Sequence, residues 1–139
     1  MQKEIKQTWF FKQSPQEVWE YLTKPELLEQ WLMKTDFKPI VGHKFTFTCS
    51  NTSYCVVLEV KPFTTLSYSW QADSATDNKP FNSKVVWTLV PKENGTELQL
   101  VHNGFTALKD YDNHNSGWTK TGSQLVELLN ALKNDGIYA

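Results

Sequence analysis

The chain has 139 residues, 40% of them hydrophobic and 21% charged, with a net charge of −1; that is enough chain to bury a substantial core in one domain spanning 1–139. All 14 basic residues are Lys, and without the planar fork of Arg the chain has neither a bidentate reader of guanine nor a dedicated phosphate clamp. No run reaches the roughly 18 apolar residues of a membrane span, so nucleic-acid binding and membrane insertion are excluded as expectations.

In chain order, Lys3–Phe11 alternates and ends in aromatics, as a first strand does. Ser14-Pro15-Gln16-Glu17 then places a capping Ser, a Pro at the first helical position and a Glu at the third. This capping box opens a helix running to about Thr23. Pro25 opens a second short helix bearing Leu27, Leu28, Trp31 and Leu32. Residues 34–43, with Pro39 and Gly42, read as a loop.

Strand-like alternation fills the middle of the chain. Lys44–Ser50 sets Phe45, Phe47 and Cys49 on one face. Tyr54–Lys61 sets Tyr54, Val56, Leu58 and Val60 together, across a turn at Ser50–Ser53 that pairs Cys49 with Tyr54. Thr65–Gln71 aligns Leu66, Tyr68 and Trp70, and Ser83–Val90 aligns Val85, Trp87 and Leu89. An Asn94-Gly95 hairpin turn leads to Thr96–Asn103, with Leu98, Leu100 and His102 facing inward. Ala72–Lys79 is a polar loop. From about Asn113 to Lys133, Trp118, Leu125, Leu129 and Leu132 recur at helical spacing, widened by Val126 and Leu128. The expected fold is α+β: a curved antiparallel sheet of about six strands, one face covered by a long C-terminal helix, with two short helices after the first strand.

Cys49 and Cys55 fall on opposite strand faces in this pairing, which argues against a disulfide and for a reducing compartment. The first residues do not read as a secretion signal. A cytoplasmic location is the expectation.

The unusual quantity is aromatic content: six Trp, eight Phe and five Tyr, 14% of the chain. Trp31, Phe45, Phe47, Trp70, Trp87 and Trp118 are either core or the lining of an apolar pocket. Tyr54, Tyr68 and Cys49 face inward on the assigned strands, and the two hydroxyls either bond across strands or point into a cavity. His102 is the one ionisable group placed on the covered face, either a bonded structural His or a polar handle for a ligand. Gly122, on the helix stripe beside Leu125, either permits close packing or leaves room for a ligand. Phe37 and Phe105 lie in loops, folded onto the core or gating an opening. His43, His102 and His114 lack metal spacing. No nucleophile elbow or phosphate loop is present, so no catalytic residue, metal or cofactor is assigned.

The order and spacing of these features resemble a known superfamily. The first strand followed by Ser14-Pro15-x-x-Val18-Trp19 and Thr23-Lys24-Pro25-Glu26-Leu27-Leu28-x-x-Trp31 is similar to the opening of START-like (SRPBCC) domains. Val41-Gly42 before Lys44-Phe45-Thr46-Phe47, the run Asn94–Leu98 through Val101–Phe105, and Gly117-Trp118 with Leu125, Leu128 and Leu132 extend the likeness along nearly the whole chain. Within the superfamily the chain most resembles single-domain relatives of heat-shock protein 90 ATPase activators. His43 departs from the second Gly that relatives often carry, and the 72–79 loop has no counterpart. The resemblance implies a helix-grip fold with a cavity between sheet and helix. It also implies binding of lipids, sterols, polyketides or hormones by superfamily members, cyclisation by a few, and no shared catalytic triad.

The function expected from these readings is binding or carriage of a small hydrophobic or amphipathic ligand. Trp31, Phe45, Phe47, Tyr54, Tyr68, Trp70, Trp87, His102, Trp118, Gly122 and Leu125 are the candidate ligand-binding residues. A co-chaperone-like interaction module and a cyclase or hydrolase acting on an aromatic substrate are the alternatives. A homodimer through an edge strand, Lys3–Phe11 or Thr46–Ser50, is a further possibility, as is a sheet with closed edges.

Overall fold

A computed structural model describes residues 3–137, with side chains described through Leu132. In chain order the elements are β1 (Lys3–Phe11), α1 (Pro15–Thr23), α2 (Pro25–Trp31), β2 (Lys34–Thr35), β3 (Lys44–Thr48), β4 (Thr52–Lys61), β5 (Thr65–Asp73), β6 (Pro80–Lys92), β7 (Gly95–Phe105) and α3 (Leu108–Ile137). The strands form one curved antiparallel sheet in the order β1-β7-β6-β5-β4-β3-β2. The long helix and the two short ones cover its inner face. This is the expected helix-grip architecture, with seven strands rather than about six. The extra strand, β2, has two residues, too short to show alternation.

The capping box at the start of α1 forms as the sequence dictates. Ser14 Oγ accepts the Glu17 N–H, and the Glu17 carboxylate accepts the Ser14 N–H, each at 3.2 Å. Two of the helix's otherwise unsatisfied donors are thereby bonded.

β4 presents the opposite face from the one expected. Phe47 pairs with Ser53 and Phe45 with Cys55, so the turn is the three residues Cys49–Asn51 and not an Asn51-Thr52 loop. That one-residue change reverses every side chain on the strand. Cys55 and Val57 are buried, whereas Tyr54 is 59% exposed and Leu58 44%. Cys49 is likewise exposed, a free thiol on the surface, and Cys55 is a free thiol in the core. Burial pushes the Cys55 thiol up to about 12. The inward placements expected for Tyr54 and Cys49 are corrected accordingly. Alternation alone could not set the register, because β4 carries apolar residues on both faces.

At the β6–β7 hairpin Lys92 pairs with Gly95. The loop is therefore Glu93-Asn94, and Gly95 is the first residue of β7. Its φ of +145° and a position where a Cβ would overlap the Phe11 carbonyl leave room only for Gly.

α3 begins at Leu108, five residues before the expected start near Asn113. Its first inward residue is Asp110, a carboxylate, so the apolar stripe gives no sign of this turn. Trp118, Leu125 and Leu129 are buried on the same face, but Leu132 is 42% exposed and lies past the core's edge. Gly122 faces Trp9 of β1, and a Cβ there would overlap the indole ring. The missing side chain is filled by protein, not left for a ligand.

At the other end of the sheet, β2 covers only the last residues of β3. The Asp36 carboxylate accepts the Thr46 N–H at 2.8 Å, capping a ladder donor on the outer side of β3. That backbone hydrogen bond is the main reason the Asp36 carboxyl sits below its ordinary range.

Replacing Gly122 by Ala will destabilise the protein by about 1–3 kcal/mol from overpacking against Trp9. The Ala helix preference of about 1 kcal/mol offsets part of this but does not reverse the sign, because the indole is held against Trp87 at a ring-centroid distance of 6.2 Å. Urea denaturation of the two proteins measures the difference.

Candidate functional site

Most of the candidate aromatics are core. Phe37 meets Phe45 at 4.9 Å between ring centroids, Phe45 meets Tyr68 at 5.3 Å, and Phe47 meets Trp70 at 5.5 Å. Trp70 and Trp118 lie 5.6 Å apart, Trp118 and Trp87 5.5 Å, and Trp87 and Trp31 6.0 Å. This continuous run of rings occupies the space under the sheet. The Tyr68 hydroxyl is fully buried and accepts the Trp87 indole N–H at 2.8 Å, so it bonds across strands. Burial raises its pKa. Phe37 and Phe105 fold onto the same core, each 1% exposed.

His102 joins the helix to the sheet. Trp118 Nε1 donates to His102 Nδ1 at 3.0 Å, so Nδ1 carries no proton and Nε2 does. Nε2 lies 2.8 Å from Ser83 Oγ, and the hydroxyl passes its own hydrogen to the Trp70 carbonyl at 2.9 Å. Every polar atom of the chain Trp118–His102–Ser83–Trp70 is thereby used. Burial, followed by the neighbouring His114, lowers the His102 pKa to about 3. A proton on Nδ1 would also face the Trp118 N–H, donor against donor. His102 is a structural bridge that fixes the seat of Trp118, and both of its nitrogens are occupied.

Space remains at one end of the molecule, in a cleft of about 600 Å³. Its floor is Trp70 and Trp118. One wall is a single face of α3, with Asp110, Asn113, His114, Gly117 and Thr121 at helical spacing. The opposite side is the β3–β4 turn from Cys49, with Tyr54 at the start of β4. Met33 after α2 and the end of β5 through Ala75 complete it. Of the candidate residues, Trp70, Trp118 and Tyr54 line this cleft, and Tyr54 does so from the outer rim. Trp31, Phe45, Phe47, Tyr68, Trp87, His102, Gly122 and Leu125 belong to the packing around it.

The α3 wall is tied to the β5–β6 loop. Asp110 is 4% exposed and accepts Ser74 Oγ–H at 2.5 Å and the Ala75 N–H at 2.7 Å. The His114 ring donates from Nδ1 to the Asp110 main-chain carbonyl at 2.9 Å, which leaves Nε2 as an acceptor. Burial lowers the His114 pKa, opposed by the Asp110 carbonyl and carboxylate. Ser74, Asp110 and His114 do not form a nucleophilic triad. The serine hydroxyl donates to the carboxylate directly, and the imidazole bonds to main chain. Trp70 is 3% exposed, and its indole N–H is the one buried side-chain polar atom without a partner among the described residues.

The wall residues Asp110, Asn113, His114 and Gly117 were not among the sequence candidates. A signal was present: stepping back from Trp118 by four and by eight reaches His114 and Asp110. The polar run around them hid the stripe.

Two buried histidines with lowered pKa make the fold sensitive to acid. In the unfolded chain they titrate near pH ~6.5, so below that pH the unfolded state binds more protons and stability falls. The His102 contribution is complete above about 6.5 and is lost progressively toward about 3. Its slope reaches about 1.4 kcal/mol per pH unit. His102→Gln will lower stability at neutral pH by about 1–3 kcal/mol through unpaired partners. It will also reduce the slope between roughly pH 6 and pH 5, where carboxylates contribute little. Denaturant melts across that range read both effects.

Among curated proteins none matches this chain. Among solved structures, the chain is similar to protein MLL2253 from Mesorhizobium loti at 34% identity and a TM-score of 0.87, over 93% of this chain and 98% of that one. DynU16, a protein of the dynemicin biosynthetic locus, shares the fold at 18% identity and a TM-score of 0.80. That match covers 91% of this chain and 47% of that one. The Aha1 dimer from Colwellia psychrerythraea, a solution structure, shares it at 19% identity and a TM-score of 0.78, over 91% and 96%. Among the described residues, no helix is long and apolar enough to cross a membrane. The family model for activator of Hsp90 ATPase homolog 1-like proteins matches residues 12–130, and the chain belongs to that family.

Proposed function

We propose that this protein binds a small amphipathic molecule in the cleft between α3 and the end of β5. The observation that carries the reading is the cleft itself: about 600 Å³, within the range of small-molecule sites, floored by two indoles and walled by polar side chains. A ligand buried there gains roughly 25 cal/mol per Å² of apolar surface withdrawn from water. The polar walls make it amphipathic rather than purely apolar. The packed aromatic core argues against a second chamber deeper under the sheet. The likeness to a protein of a biosynthetic locus is consistent with a small-molecule ligand.

Gly117 supplies a clean test. It lines the cleft, and a Cβ built on it meets nothing within 4 Å. Gly117→Leu will project a side chain into the cleft while removing a helical glycine that costs about 1 kcal/mol. The variant will melt at the same or a higher temperature and lose the ligand. Native mass spectrometry of both proteins, purified from the natural host, reads the outcome. A small-molecule adduct on the wild type that is absent from the variant supports binding in the cleft. An adduct that survives the substitution overturns it.

A further inference from the structure

The cleft's charge and hydrogen-bonding inventory restrict the class of ligand further, an inference that rests on the binding reading above. Although the chain has 14 lysines and no arginine, no basic side chain of the lysine or arginine type lines the cleft among the described residues. Two carboxylates do, Asp73 and Asp110, and neither is in a salt bridge among the described residues. An anionic headgroup placed here would meet like charge and find no cation to replace its water.

The two unused polar atoms are complementary. Trp70 offers an N–H with no acceptor. His114, its Nδ1–H already given to the Asp110 carbonyl, offers Nε2 as an acceptor. The two rings lie 6.2 Å apart between centroids, edge to face. A hydroxyl is the smallest neutral group that accepts from one and donates to the other. Burial keeps the His114 ring neutral near pH 7, which preserves the acceptor. The flanking Trp118 and Trp70 faces suit a flat ring.

We infer that the cleft selects neutral, hydroxyl-bearing aromatic molecules and rejects carboxylates and phosphates, with Trp70 Nε1–H and His114 Nε2 as the two atoms that read the hydroxyl.

Three probes with one ring system separate the contributions: naphthol, methoxynaphthalene and naphthoate, titrated calorimetrically at neutral pH into the wild-type protein and into Gly117→Leu. Naphthol carries donor and acceptor, methoxynaphthalene the acceptor alone, and naphthoate a negative charge. Naphthol will bind at least about tenfold tighter than naphthoate, a ratio worth about 1.4 kcal/mol, with methoxynaphthalene between them. Trp70→Phe keeps an aromatic floor but removes the N–H, and will weaken naphthol several-fold with little change for naphthoate. The wild-type ranking decides the matter even where that variant folds poorly. Naphthoate binding as tightly as naphthol, or methoxynaphthalene matching naphthol, overturns the inference and leaves the cleft reading intact. Binding of no probe, or binding undiminished in Gly117→Leu, overturns the cleft reading as well.

Discussion

The hydrogen bond from Trp118 to His102 decides how the last helix rests on the sheet. Trp118 touches Trp70 and Trp87, so its position sets the rings around it. Those contacts are apolar and non-directional; the bond to Nδ1 is not. It specifies one rotation of α3 about its axis, and Gly122 against Trp9 specifies how closely the helix approaches one turn later. With rotation and approach fixed, the residues one and two turns before Trp118 can only face the end of β5. The cleft is therefore a consequence of how the core is pinned.

That dependence explains why an aromatic-rich inner face does not make a roomy chamber. A Trp buries roughly 150–250 Å² and is satisfied by other rings as readily as by a ligand. Here the rings stack edge to face through the full thickness beneath the sheet. The space that remains lies where the helix changes composition, from the apolar stripe of Trp118, Leu125 and Leu129 to the polar face of Asp110 and His114. Small and polar residues leave a volume there that the long indoles no longer fill.

Much of the fold was legible because its signals are local. The capping box at Ser14, the alternation of β5 and β6, and the helical spacing from Trp118 to Leu129 each follow from period and sterics over a few residues. What was not legible depended on partners distant in sequence. The face of β4 followed from a three-residue turn and a register set by Phe45 opposite Cys55, and a strand apolar on both sides cannot announce that choice. The start of α3 was hidden because its inward group is Asp110, whose place is justified only by Ser74 and Ala75, thirty-six and thirty-five positions earlier. His102 looked like a ligand handle because the sequence does not show that Trp118 and Ser83 already occupy both its nitrogens.

The two edges of the sheet are unequal. β1 is paired only on its β7 side, whereas on the outer side of β3 the Thr46 N–H is already given to the Asp36 carboxylate. A strand arriving at that second edge finds a donor spoken for and a negative charge in its way. Growth by strand addition is therefore open in one direction, and two copies meeting through β1 would each present the guarded edge outward, closing as a pair instead of extending as a fibre. Because the hydrogen bond from Thr46 holds the Asp36 carboxyl below its usual range, the guard stays charged while ordinary surface carboxylates are already becoming neutral.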